Sequence, residues 1–171
     1  RLLREASSSP FASGTPEAQR RIVEFGFAVA AAELGDPDAL ESVRAGVFAP
    51  EEQGELALLA CEALGTLGDQ TYAGVLEERA FKAASGEIPL EIGLAAAGAV
   101  AQLRPEMAPV EWIVESGSHE QPLIRQQAAA VLGLTVGSDA EAQLLAMLQD
   151  PDPLVRASAL SLIHISEPTR P

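Results

Sequence analysis

The sequence predicts an all-α protein of paired helices, and three observations carry that prediction. A punctuation mark recurs along the chain, the apolar residues between marks fall at helical spacing, and the marks consist of helix-ending and helix-starting residues. The mark is clearest as Leu34-Gly35-Asp36 and Leu67-Gly68-Asp69, and returns in weaker form as Leu103-Arg104-Pro105 and Val136-Gly137-Ser138. Successive marks stand 33, 36 and 33 positions apart. A second mark, Pro122-Leu123-Ile124-Arg125 and Pro153-Leu154-Val155-Arg156, repeats after 31 positions. A period near 33 residues suits a helix–turn–helix unit. Strand-like alternation is absent, and runs such as Ala128-Ala129-Ala130 favour helix on propensity.

Taken in order, Ser7 to Thr15 is rich in serine and glycine, so residues 1–16 read as a linker or a capped lead-in. The first helix pair is expected near 17–34 and 37–48, with Asp36 capping the second helix and Pro37 at its first position, where no N–H is missed. The second pair is expected near 51–67 and 70–84. Leu56, Leu59, Ala60, Ala63, Leu64 and Leu67 draw a single apolar stripe along its first helix. Gly68 then suits a left-handed C-terminal position, and Asp69 can cap the next helix. The third pair is expected near 89–103 and 108–116, and the fourth near 121–136 and 139–149. Ser138 and Glu141 have capping-box spacing at the helix that carries Leu144, Leu145 and Leu148. Asp152-Pro153 opens a fifth unit. The units lie near 17–50, 51–87, 88–120 and 121–152, with a partial one at 153–159. No pair can bury its own stripe, so the pairs must stack side by side into an elongated core.

Composition bounds the function. Hydrophobic residues are 47% of the 171 and aromatics only 4%, so alanine, leucine and valine must fill the interior. The net charge of −14 argues against nucleic acid, whose phosphates demand lysine and arginine. No apolar run approaches the ~20 residues of a membrane span. One cysteine, Cys61, excludes an internal disulfide framework and a cysteine-ligated zinc site. It sits in the apolar register of its helix and reads as a small buried hydrophobe. A single buried cysteine suits the cytoplasm, although a lost signal peptide would leave the same trace. The alanine-rich composition, with Lys82 as the one lysine among 11 basic residues, points to a bacterium with a GC-rich genome.

Pro122-Leu123-Ile124-Arg125 followed by Ala128-Ala129-Ala130-Val131-Leu132-Gly133, and Ala63-Leu64-Gly65-Thr66-Leu67-Gly68-Asp69, resemble HEAT repeats in the short, bacterial HEAT-like form of the phycobilin-lyase type. The resemblance covers roughly residues 17–159. It is good in the second, fourth and fifth units and weaker in the first. The third departs most, with Gly93 where arginine is usual and Arg104-Pro105 in place of Gly-Asp, which suggests a looser interface or a bend. It implies a right-handed, armadillo-like α-solenoid whose second helices line a concave face, and a scaffold that binds other proteins. Fold alone transmits no function.

Each enzymatic activity found among HEAT-like proteins makes its own demand on residues. Deoxyhypusine hydroxylases hold di-iron through His-Glu pairs after the repeat arginine; here Arg125 is followed by Gln126-Gln127 and Arg156 by Ala157-Ser158. His119-Glu120 stands in a loop, and one imidazole makes no metal site. Chromophore lyases need a groove for an anionic tetrapyrrole, which this acidic, aromatic-poor chain does not favour. DNA glycosylases need a basic track that it cannot assemble. The sequence also lacks a P-loop, a dinucleotide fingerprint, Gly-x-Ser-x-Gly and His-Glu-x-x-His. No catalytic residue, metal ligand or cofactor is expected.

What remains is a non-catalytic interaction or scaffolding module, binding a basic or amphipathic segment on an acidic concave face; the alternative is an accessory solenoid of a larger enzyme or sensor. The candidate partner-binding residues are Tyr72, Glu77, Glu78, Glu111, Trp112 and Glu115; the competing reading is that the acidic residues cap helix starts and keep the surface soluble while Tyr72 and Trp112 serve packing. Arg125, Arg156, Asp36 and Asp69 are expected to form a structural ladder between units, each arginine reaching the Asp that caps a neighbouring helix. Residues Leu160 to Arg170 resemble the translation of a transposase-type sequencing adapter, so the native chain is expected to depart from this sequence after about Ala159, making 160–171 non-native and removing His164 from functional argument.

Overall fold

The computed structural model describes residues 17–50, 53–135 and 137–166. The lead-in expected over 1–16 and the last five positions lie outside them. Among the described residues there are nine α-helices and no strand, as expected of an all-α chain. They are α1 (Glu17–Glu33), α2 (Pro37–Gly46), α3 (Gly54–Leu67), α4 (Ala73–Ala84), α5 (Leu90–Leu103), α6 (Val110–Ser116), α7 (Pro122–Leu132), α8 (Ser138–Met147) and α9 (Pro153–Ser166). Short 3-10 turns, Gln70–Tyr72 and Pro105–Met107, precede α4 and α6.

The Leu-Gly-Asp marks work as their chemistry requires. Gly35 and Gly68 adopt φ of 85° and 73°, a region in which a Cβ is strained. At Gly68 the amide N–H donates to the Gly65 carbonyl at 3.1 Å, and that of Asp69 donates to Leu64 at 3.2 Å. This paired closure satisfies carbonyls that the end of α3 leaves open. Asp36 then caps α2 by accepting from the N–H groups of Asp38 and Ala39, and Asp152 does the same for Leu154 and Val155 of α9.

The weaker marks behave differently. Arg104 has an extended φ of −144°, and Pro105 starts a 3-10 turn rather than a glycine closure. Helix α7 stops at Leu132, short of the expected 136, because its last bonds tighten to three-residue spacing and the Thr135 hydroxyl donates to the Leu132 carbonyl at 2.8 Å. The capping box at Ser138 does not form. Gly137 takes the cap position with no side-chain bond, and Ser138 stands inside the helix.

Packing follows a consistent order. The first helices lie in a row, α1 on α3, α3 on α5, α5 on α7 and α7 on α9. Second helices also seat on the first helix of the next unit, α2 on α3, α4 on α5, α6 on α7 and α8 on α9, although α2 packs more extensively on α1 of its own unit. One continuous core results, running from Val43 to Ala159. Its centre is α5, buried at every position from Ile92 to Ala101, as befits a helix apolar on all sides. Fully buried side chains such as Leu64, Leu94 and Ile124 are worth roughly 1.5–3 kcal/mol each in apolar transfer.

Small residues set the helix separations. A Cβ on Gly65 would lie 2.8 Å from Ala99 Cα, and one on Gly93 only 2.0 Å from Ala83 Cβ. Instead of loosening the third unit, Gly93 lets α5 press directly against α4. Cys61 is fully buried, and that burial pushes its thiol up to about 12, well away from a reactive thiolate. No helix among the described residues is long and apolar enough to cross a membrane.

Candidate functional site

Two arginine–aspartate rungs tie a helix to a later turn, Arg44 across two units and Arg125 within the fourth, and define by contrast where a groove opens. Arg125 on α7 donates from Nε and Nη2 to the two carboxylate oxygens of Asp150, both at 2.7 Å, with side chains only 11% and 8% exposed. Its Nη1 holds the carbonyls of His119 and Glu120, so one guanidinium clamps the loops on both sides of its own unit. Arg156 repeats only the second half, Nη1 donating to Asp150 and Pro151 carbonyls. The expected partner of Arg125 was the capping Asp; the capping role belongs to Asp152, and the rung is made by Asp150, two residues earlier.

The other rung uses an arginine that was not expected to bridge units. Arg44 on α2 donates from Nε and Nη2 to Asp69 at 2.7 and 3.0 Å, and from Nη2 to Thr71 at 2.7 Å. Asp69 also accepts from the Thr71 N–H, so it caps and bridges together. Asp36 caps its own unit's helix. The guanidinium of Arg44 lies 5.3 Å from the Tyr72 ring centroid, and Tyr72 meets Phe48 edge-on at 6.5 Å. Tyr72 is thereby half-buried in packing between α2 and α4.

These rungs tie stability to pH. Each guanidinium holds its partner carboxyl below the ordinary value of 3.8. A depressed folded-state value adds stability above that ordinary value, and the contribution is lost as pH falls through the depressed one. The melting temperature is expected to hold from about pH 7 to 5 and to fall below about pH 4. Asp150→Asn should flatten that fall; an unchanged slope would show that the rung does not titrate with folding.

At the next junction the rung is missing. The buried positions Ala39, Val43 and Gly46 of α2 match Leu76, Ala80 and Ala83 of α4, four then three apart. In that register Arg44 corresponds to Phe81, and Arg104-Pro105 stands where Gly68-Asp69 would be. Neither half of the ion pair is present. Phe81 is left 71% exposed, and Met107 is 44% exposed. A groove of about 490 Å³ opens between α4 and α6, lined by Gly74, Glu77, Glu78, Ala80, Phe81, Ala84, Met107, Pro109 and Trp112.

The groove therefore gathers three of the six expected partner residues, Glu77, Glu78 and Trp112. Glu111 and Glu115 sit exposed on α6 outside its lining, and Tyr72 belongs to the neighbouring junction. Phe81 and Met107 were missed. The signal for Phe81 was an aromatic off the buried stripe of its helix, between Ala80 and Lys82. Electrostatically, Glu78 pairs with Lys82 at 2.6 Å, and that ammonium holds its carboxyl below the usual range. Trp112 is half-buried, its Cη2 within 3.1 Å of where a Gly93 Cβ would be. Among the described residues no group of three His, Cys, Asp or Glu is placed to hold a metal ion. His119 Nδ1 accepts from the Gln121 N–H, and its loop serves Arg125 through backbone carbonyls. No protein-family model matches the chain, and no curated protein is significantly similar to it.

Proposed function

We propose that the chain is a HEAT-like α-solenoid acting as a non-catalytic protein-interaction module, with the α4–α6 groove as its docking site. The row of first helices and the seating of each second helix on the following unit support the solenoid reading. One observation carries the function: where the first junction is filled by Arg44 and Asp69, this one presents Phe81, Met107 and Trp112 beside the carboxylates of Glu77 and Glu78. Exposed aromatics in a concave site are the usual anchors of protein recognition. A basic or amphipathic segment of a partner protein suits a groove on a chain of net charge −14.

The test is comparative retention. Immobilised protein should retain a partner from cell lysate at low salt and release it as salt rises. Phe81→Asp, an exposed change that should alter stability by no more than about 0.5 kcal/mol, should abolish retention. Equal retention by the variant would place the docking surface elsewhere.

A further inference from the structure

The one lysine in the chain stands just outside the groove lining and reaches it through Glu78. Lys82 stands one turn after Glu78 on α4 and donates to its carboxylate at 2.6 Å. Glu77 lines the same groove and, among the described residues, forms no ion pair. The two carboxylates on the α4 side are thus unequal: one already holds a cation and the other awaits one. Phe81, largely exposed, and Trp112, half-buried, line the same groove between two helices. An occupant complementary to both parts carries large apolar side chains on one face and cations beside them. An amphipathic helix laid in a groove is the usual way to present that combination.

Resting on the docking site proposed above, we infer that the groove selects a cationic amphipathic helix of a partner protein, and that Lys82 is a built-in competitor for the partner's cation at Glu78. The first ammonium or guanidinium of the partner pairs with Glu77. A second reaches Glu78 only by displacing Lys82, so the intramolecular pair lowers affinity and sharpens the demand for charge. Both carboxylates are at the surface, so each exchange is small and sensitive to salt.

Trp112 is the only tryptophan and lines the groove, so its emission reports occupancy directly. The probes are two tryptophan-free amphipathic peptides of about 15 residues, where such helices begin to hold, one of Leu and Lys and the other of Leu and Glu. The Leu/Lys peptide should shift Trp112 emission to the blue, with an affinity that weakens as salt rises. Lys82→Ala should tighten it about two- to fivefold, and Glu77→Gln should weaken it by a similar factor. Circular dichroism of each variant checks that the helices are intact. Unchanged affinity in Lys82→Ala overturns the competitor role. A Leu/Glu peptide binding equally well, and lost in Phe81→Asp, overturns the charge selection while leaving the docking site standing. No shift with either peptide overturns both.

Discussion

Arg125→Ala is expected to lower the stability of folding by about 1.5–3 kcal/mol, the usual cost of removing a hydrogen-bonded charged partner at a partly buried site. The pair is partly enclosed, with side chains 11% and 8% exposed, so solvent screening offsets part of the full buried-pair cost. Three consequences add: Asp150 keeps a buried charge without its fork, and the carbonyls of His119 and Glu120 each lose a donor. Asp150 also accepts from the Asp152 N–H at 2.8 Å, so the start of α9 should loosen together with the rung. Denaturant unfolding measures the loss, and hydrogen exchange at the start of α9 locates it. A loss below about 1 kcal/mol would mean that the rung is a surface pair in its energetics. The double change Arg125→Met with Asp150→Leu should recover much of the loss, since neither charge is then stranded.

Gly93→Ala should cost about 2 kcal/mol, although alanine is the better helix former. The added Cβ would sit 2.0 Å from Ala83 Cβ and 3.5 Å from Ala83 Cα, so α4 and α5 must separate. Overpacking of that kind costs up to about 3 kcal/mol, and the helix preference of alanine over glycine returns about 1. Gly26 supplies the control, since a Cβ there meets nothing within 4 Å. Gly26→Ala should therefore stabilise α1, by roughly 0.4–1 kcal/mol. The contrast in sign between two helical glycines is the measurement. If both changes stabilise, the α4–α5 contact is more yielding than its spacing implies. Trp112 adds a second readout, because its ring touches the same point and its emission should change in Gly93→Ala alone.

The helices were legible because their signals are local. Asp36 with Pro37, Gly68 with Asp69 and the stripe of Leu64 each lie within a few residues of the turns and faces they control. Phe81 and Asp150 were harder for the opposite reason. Arg44 with Asp69 and Arg125 with Asp150 are both 25 positions apart, a distance at which no propensity or cap speaks. Only the facing of one helix toward a later turn brings them together. The groove was half legible on similar grounds. Glu77, Glu78 and Trp112 were singled out as a charge pattern and a lone aromatic, whereas the exposure of Phe81 depends on an absent rung. Glu111 and Glu115 show the limit of charge alone, since they share a helix with Trp112 and still miss the groove.

The seating of α4 on α5 has a bearing on how such a protein can be cut and rejoined. The sequence repeats from the start of one first helix, but the tightest junction crosses that boundary. An excision of residues 51–87 would remove α4 from the helix it grips and expose both faces. A graft spanning 73–103 would carry α4 and α5 as a ready-made couple. At α4 and α5 the interchangeable part is offset from the helix pair written in the amino acids, whereas α2 holds chiefly to α1. Recombination in that frame moves one wall of the groove with α4 and leaves its opposite wall, on α6, to be supplied by the recipient.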